Sequence, residues 1–134
     1  MIGCCNCAAV TIELARRPDF VNFCDCSFCS KNGGAWAYFT AGDVTITGET
    51  ASYMRSDIPD PVIIMHSCKI CHSTTHWTLP EGYGQDRIGI NIRLFAPDDC
   101  AGIEARFMDG RNWTGDTEPQ MRKPHEAIGP ENFN

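Results

Sequence analysis

The sequence predicts a mostly β fold of antiparallel sheets with few or no long helices, in which cysteine-containing turns replace some ordinary turns. Three observations support this prediction. Apolar residues recur at every second position in most apolar stretches, no window of ten or more residues shows a helical stripe, and seven of the nine cysteines form three short clusters. At 134 residues, the chain is long enough for one domain with a buried core.

Strict alternation marks the two clearest strands, 8–14 and 87–94. The residues from 115 onward are polar, contain three prolines and show no period, so we expect 1–115 to form the domain and 116–134 an extended tail that is partly packed at best. Shorter strands are predicted at 20–24, 35–40, 44–47, 52–55, 62–67 and 76–79, with turn signals at 33–34, 41–43, 59–61 and 80–82.

The first cysteine cluster contains Cys5 and Cys7. On a strand, residues i and i+2 face the same side, about 6.6–7 Å apart, so a slightly curled backbone lets two thiolates share a metal. Cys4 then faces the other way and is predicted to be a bystander. The alternative interpretation is a buried cluster of apolar cysteines.

The second cluster, Cys24-Asp25-Cys26-Ser27-Phe28-Cys29, places three thiols within six residues. Its Cys-X-X-Cys half has the usual spacing of a zinc knuckle. Because a structural zinc site has four ligands, three cysteines predict a site with an open position, which is typical of a catalytic metal. Alternatively, a distant group closes the site, the candidates being His66, His72, His76 and Asp25.

The third cluster, Cys68-Lys69-Ile70-Cys71, has the same knuckle spacing and completes a four-sulfur set with Cys5 and Cys7. Coordination would offset the entropic cost of closing a loop of about 60 residues. We therefore predict a structural zinc site at Cys5, Cys7, Cys68 and Cys71, and a catalytic one at Cys24, Cys26 and Cys29. Cys100 stands alone and is expected to act as a small apolar residue.

Composition limits the classes of function. The net charge of −6 and the absence of a basic stretch argue against a nucleic-acid surface. No apolar run is long enough to cross a membrane, and no secretory signal opens the chain. We therefore expect a cytoplasmic protein, in which clustered cysteines bind metal rather than form disulfides.

The order of the clusters resembles the glutathione-dependent formaldehyde-activating enzyme family, which includes the centromere protein V domain. The resemblance covers about residues 1 to 115. Its pieces are Gly3 with Cys5 and Cys7, Cys24–Cys29 through Gly34, Cys68–Cys71, the strand 88–94, the turn 97–99, and Asp109-Gly110 with Trp113.

The resemblance implies a zinc-binding β fold of tent-like sheets. It implies a structural zinc on Cys5, Cys7, Cys68 and Cys71 and a catalytic zinc on Cys24, Cys26 and Cys29. Members are described as carbon–sulfur lyases that join formaldehyde to glutathione as S-hydroxymethylglutathione.

Three departures from the family pattern leave the metal ligands intact. The family often has histidine where Asp25 stands, and glycine where Ala8 and His72 stand. A basic pair that commonly follows the third catalytic cysteine is reduced to Ser30-Lys31. These changes bear on the substrate rather than on the metal.

A zinc ion with three thiolates carries a net charge of −1 and is a poor Lewis acid, so the site favours exchange of a soft thiol ligand over hydrolysis. We therefore expect a thiol substrate, such as glutathione, whose adduct with a small carbonyl compound is formed or cleaved. The competing hypothesis is a non-catalytic, zinc-stabilised binding module. Basic candidates for binding the glutathione carboxylates are Lys31, Arg55, Lys69 and Arg93.

Overall fold

The computed structural model describes residues 1–115 and 117–133. Within these residues the strands form two sheets, and two short helices lie in the connections between strands. In chain order the elements are β1 (Ile2–Cys4), β2 (Thr11–Leu14), β3 (Phe20–Phe23), α1 (Ser27–Asn32), β4 (Ala35–Phe39), β5 (Val44–Thr47), β6 (Thr50–Met54), β7 (Ile64–Cys68), β8 (Thr74–Thr78), β9 (Ile88–Asn91), α2 (Pro97–Cys100), β10 (Glu104–Arg106) and β11 (Glu126–Ala127), with 3₁₀ turns at Ala41–Asp43 and Ile92–Leu94.

The small sheet has the strand order β1-β2-β5, and the large sheet has the order β11-β10-β3-β4-β9-β8-β7-β6. Neighbouring strands run antiparallel except β10 and β3, which are parallel and place Ala105 beside Val21. The predicted fold class, mostly β with antiparallel sheets and only short helices, is confirmed.

The predicted strands are present, but several end at different residues. The predicted strand 8–14 begins only at Thr11, because Ala8 adopts a left-handed conformation and the Val10 N–H donates to the Cys5 sulfur. The predicted strand 87–94 stops at Asn91, whose side chain accepts a hydrogen bond from the Arg93 N–H and starts a 3₁₀ turn. The strands that the pattern missed, β1, β10 and β11, have two or three residues each, too few to show a period.

β4 carries a buried side chain on each face of the large sheet. Ala35, Ala37 and Phe39 point into the main core, where they meet the small sheet and its buried Ile12. Trp36 and Tyr38 point the other way, into a second cluster beneath α1. The alternation of β4 therefore fixes α1 and its cysteines to the face of the sheet opposite the main core.

The C-terminal residues return to the body of the fold. β11 pairs with β10, with Glu126 opposite Ala105, and both Ile128 and Phe133 are buried in the main core. The division of the chain at 115/116 stays a prediction. None of the described residues belongs to a helix long and apolar enough to cross a bilayer.

Candidate metal centres

Seven of the nine cysteines converge into two groups, in each of which all sulfur atoms lie within 4.8 Å of one another. The first group, called site A, contains Cys5, Cys7, Cys68 and Cys71; the second, called site B, contains Cys24, Cys26 and Cys29. The remaining two, Cys4 and Cys100, lie outside both groups, Cys4 exposed and Cys100 buried in the main core.

Site A joins two distant turns. Cys5 and Cys7 follow β1, whereas Cys68 ends β7 and Cys71 lies in the turn to β8. The Asn6 N–H also donates to the Ser73 hydroxyl at 3.4 Å, so a hydrogen bond joins the two turns as well. Site A therefore connects the small sheet to the β7–β8 hairpin of the large sheet.

The sulfur spacing in site A fits a tetrahedral zinc ion. The Cys5 and Cys7 sulfurs are 3.6 Å apart, and the Cys7 and Cys68 sulfurs are 3.7 Å apart. A Zn–S bond of about 2.3 Å gives a tetrahedral S···S edge of about 3.8 Å. Backbone N–H groups also point at the sulfurs, from Val10 to Cys5 at 3.2 Å and from Ile70 to Cys68 at 3.4 Å. Such donors stabilise thiolate charge.

The residue that follows each half of site A has a left-handed backbone. Ala8 has φ +59° and His72 has φ +60°. The Ala8 N–H donates to the Cys5 carbonyl and the His72 N–H to the Cys68 carbonyl, so each closes its turn. These two positions depart from the glycine of the family pattern, and their backbone angles explain why glycine suits them.

Site B lies where β3 leads into α1. Cys24 follows β3, Cys26 precedes the first residue of α1, and Cys29 lies within the helix. The helix ends at Gly33, whose φ of +65° returns the chain toward β4. The paired glycines 33 and 34 therefore have a turn role, and Gly34 also lies against the Trp36 indole, with no room for a Cβ.

Each sulfur of site B receives a hydrogen bond from the surrounding protein. The Cys26 N–H donates to Cys24 at 3.4 Å, the Trp36 indole N–H donates to Cys29 at 3.2 Å, and Arg55 Nη1 donates to Cys26 at 3.7 Å. Arg55 is itself held by Asp57 and by the Ser27 hydroxyl, at 2.9 and 2.7 Å. Such bonds orient ligands and stabilise charge on sulfur.

The crowding of three thiols makes their acidities unequal. Hydrogen bonds from Cys24 and then Cys29 hold the pKa of Cys26 well below its usual value. The contact with Cys26 raises the pKa of Cys24 to about 11, and contacts with Cys24 and Cys26 raise the pKa of Cys29 further. One negative charge is thus easily held, but three thiolates at this spacing require a cation among them. Three soft sulfur donors fit Zn²⁺.

Among the described residues, no fourth histidine, cysteine or carboxylate joins site B. The Asp25 carboxylate instead accepts from the Arg111 N–H at 3.1 Å and pairs with Arg122 at 3.4 Å. The other candidates for closing the site, His66, His72 and His76, also lie outside it; His66 and His76 stack face to face 4.2 Å apart, and His72 lines a separate cavity.

A glycine in the loop after β10 covers part of site B. A Cβ on Gly110 would lie 2.3 Å from the Cys24 sulfur and 3.1 Å from the Cys26 backbone nitrogen. The backbone of this loop therefore packs directly on the cysteines, which only a residue without a side chain permits.

A cavity of about 510 Å³ opens beside Cys24 and Cys29. Of the four basic residues predicted to bind substrate, only Arg93 lines it. Its further basic residues, Arg122 and Lys123, come from the segment predicted as a tail. They form one of two adjacent basic pairs in the chain, which is a weak signal in an aperiodic segment.

The other basic candidates are placed differently. Arg55 contacts the Cys26 sulfur, as described above. Lys31 lines a second cavity of about 430 Å³ on the other side of α1. Lys69 is paired with Glu49 at 3.1 Å, beside site A.

The model of the family described as glutathione-dependent formaldehyde-activating enzyme matches residues 1–108 of this chain. The chain belongs to this family. The match spans both cysteine groups and ends before Gly110 and the segment that brings Arg122 to the cavity.

One solved structure with a similar fold is a crystal structure of a Rhodobacter sphaeroides protein, a Northeast Structural Genomics target. It shares 25% identity with this chain, with a TM-score of 0.58 over 74% of this chain and 94% of that one. No curated protein matches the chain.

Proposed function

We propose that this chain is a zinc-dependent carbon–sulfur lyase acting on the adduct of a thiol and a small carbonyl compound, of the S-hydroxymethylglutathione type. The observation that carries the proposal is the asymmetry of the two sites. Site A has four cysteines, whereas site B has three, no fourth ligand among the described residues, and an adjoining cavity. Site A takes the structural role and site B the catalytic one.

In this proposal, Cys24, Cys26 and Cys29 hold a zinc ion. Bound there, the ion supplies an exchangeable position for a substrate sulfur. Trp36 and Arg55 donate to two of the cysteine sulfurs, which holds them in place and offsets part of their charge. The cavity beside Cys24 and Cys29 admits the rest of the substrate.

The reaction balances without a further reagent. In the direction of synthesis, the substrate sulfur gives up its proton and forms a bond to the carbonyl carbon, and the carbonyl oxygen takes up a proton. Cleavage is the reverse: the hydroxyl loses its proton, the C–S bond breaks and the thiol is reprotonated. Neither direction changes an oxidation state overall, so a redox cofactor is not required.

The first experiment compares Cys26→Ser with Cys68→Ser, using Cys4→Ser as the matched control because Cys4 lies outside both sites. Zinc per chain is measured by mass spectrometry on protein purified under reducing conditions without added metal. We expect two zinc ions in the wild type and in Cys4→Ser. Cys26→Ser is expected to hold one and stay folded, whereas Cys68→Ser is expected to unfold.

The second experiment tests catalysis directly. Exchange between free glutathione and its formaldehyde adduct is followed by NMR, with and without protein. We expect acceleration by the wild type and by Cys4→Ser, and none by Cys26→Ser. If the wild type holds two zinc ions but leaves both the exchange rate and the spectrum of its cobalt-substituted form unchanged by glutathione, the binding-module hypothesis replaces this one.

A further inference from the structure

The cavity beside site B is formed by parts of the chain far apart in sequence. Its lining includes Cys24 and Cys29 of site B and four residues of the C-terminal segment, Arg122, Lys123, Glu131 and Asn132. This segment is held in place by β11 and by the buried Ile128 and Phe133. It therefore forms a fixed wall of the cavity.

Arg122 lines the cavity, and its side chain is anchored by several contacts. Its Nη2 donates to the Phe23 carbonyl at 2.9 Å and its Nε to the Met108 carbonyl at 3.2 Å, while Asp25 lies 3.4 Å away. Among residues 1–115 and 117–133, no acceptor engages Nη1 of Arg122. The side chain as a whole is 40% exposed, and Nη1 keeps its N–H donors free for a ligand.

Two further basic residues of the cavity lining, Arg93 and Lys123, each pack against an aromatic ring. Phe23 and Phe107 stack with ring centroids 5.5 Å apart. The Arg93 guanidinium lies 5.6 Å from the centroid of the Phe23 ring, and the Lys123 ammonium lies 3.8 Å from that of Phe107. Arg93 also donates from Nη1 to the Phe133 carbonyl at 2.7 Å, which ties it to the C-terminal segment.

Basic residues are concentrated at this cavity, although the molecule as a whole is acidic. The chain carries −6 overall and has eleven basic residues, three of which line this one cavity. Asp25 and Glu131 are the acidic residues that face them there. A cluster of arginines with free donors is suited to binding carboxylates.

We infer that the C-terminal segment makes site B selective for acidic thiols, with Arg122 and Arg93 binding the carboxylates of the substrate. The inference rests on the proposed function, since it concerns the same substrate. Arg122 and Arg93 are specificity-determining residues in this scheme, and the cysteines hold the metal. The residues that select the substrate thus lie partly beyond the 1–108 match to the family.

The test uses S-methylglutathione, which keeps both carboxylates of glutathione but has no thiol. Its binding to zinc-loaded protein is measured by isothermal titration calorimetry for the wild type, Arg122→Gln and Lys31→Gln. Lys31→Gln is the matched control, because it removes the same charge on the far side of α1. We expect Arg122→Gln to weaken binding by about tenfold or more, as for loss of a charged hydrogen bond, and Lys31→Gln by less than about twofold.

A change in the ligand separates loss of the contact from disturbance of the fold. The diethyl ester of S-methylglutathione lacks the carboxylate charges, so wild type and Arg122→Gln are expected to bind it equally. The inference is overturned if the wild type fails to bind S-methylglutathione, if Arg122→Gln binds it as tightly as the wild type, or if both variants weaken it alike.

The same proteins distinguish failure of this inference from failure of the proposed function. The cobalt-substituted forms are titrated with 2-mercaptoethanol, an uncharged thiol. We expect equal spectral changes in wild type and Arg122→Gln, because Arg122 contacts the carboxylates and not the sulfur. If Arg122→Gln responds normally to 2-mercaptoethanol and binds S-methylglutathione as tightly as the wild type, the selectivity for acidic thiols is refuted and the lyase proposal is unaffected. If the cobalt form responds to no thiol but S-methylglutathione still binds in a way that depends on Arg122, the lyase proposal is refuted and the binding site for acidic ligands stands.

Discussion

The close approach of Gly110 to site B allows one substitution to test the arrangement of the cysteines. A methyl group at this position would lie 2.3 Å from the Cys24 sulfur. The backbone of Gly110 is not in the left-handed region, so alanine is conformationally allowed there and only the contact is at issue. Gly110→Ala therefore acts on Cys24 through packing alone.

The expected size of the effect follows from this distance. An ordinary contact between the methyl carbon and the sulfur is about 3.5 Å or more, so the two groups must separate by about 1.2 Å. Metal ligands tolerate shifts of only about 0.2 Å. Overpacking of this kind costs about 1–3 kcal/mol, which corresponds to about 5- to 150-fold in affinity if the displacement falls on Cys24. None of the atoms nearest to a Cβ at Gly110 belongs to site A, so we expect site A to keep its affinity.

The assay is a competitive titration with a chromogenic zinc chelator, which resolves the affinities of the two sites. Gly42→Ala is the matched control, because a Cβ on Gly42 meets nothing within 4 Å. We expect Gly110→Ala to weaken the zinc affinity of site B alone, and Gly42→Ala to leave both affinities unchanged. Two wild-type affinities in Gly110→Ala would refute the packing of this loop on Cys24.

Three further predictions concern the surroundings of the sites. Replacing Ala8 or His72 by glycine relieves a left-handed backbone, and we expect each change to raise the free energy of unfolding by about 0.5–1 kcal/mol in urea titrations of the zinc-loaded protein; a decrease would contradict this. Burial lowers the pKa of His76 to about 4, so its neutral form stabilises the fold above about pH 6.5, and this contribution is lost as the pH falls toward 4. We therefore expect the fall in urea midpoint from pH 7 to pH 5 to be smaller in His76→Gln than in wild type; equal falls would contradict it. Trp36→Phe removes the donor to Cys29, and chelator titration should show about tenfold weaker zinc binding at site B with site A unchanged; a loss at both sites would instead indicate a general packing defect.

Local spacing explains why the sequence predicted the cysteine clusters, and the four ligands of a structural zinc site explain why two of these clusters were combined into site A. The pairs Cys5 with Cys7 and Cys68 with Cys71 are close because neighbouring residues cannot be far apart, and soft sulfur donors at these spacings are typical zinc ligands. The alternation of apolar residues predicted the strands in the same way, because side chains on a strand face opposite sides in turn. The cysteine spacing and the apolar alternation can both be recognised within a few residues of sequence.

The surroundings of site B carried no such local signal. Arg55 reaches Cys26 from 29 positions away, and Gly110 packs on Cys24 from the loop after β10. Arg122 lies in the segment predicted as an extended tail, which has no period, and its side chain donates to the Phe23 carbonyl, 99 positions away. Isolated basic residues and glycines are common on surfaces and in turns of any protein. Their role therefore depends on which distant residues they contact in the folded structure.

The sequence by itself therefore determined the β class, the two cysteine groups and the family, since each depends on patterns within short segments or on their order. The tertiary structure alone decided which groups adjoin the three-cysteine site. It brought Arg93 and Arg122 to one cavity, paired Asp25 with Arg122 and left Lys31 and Lys69 elsewhere. The physical reason is that contacts between distant segments arise from the packing of whole sheets, which no short stretch of sequence encodes.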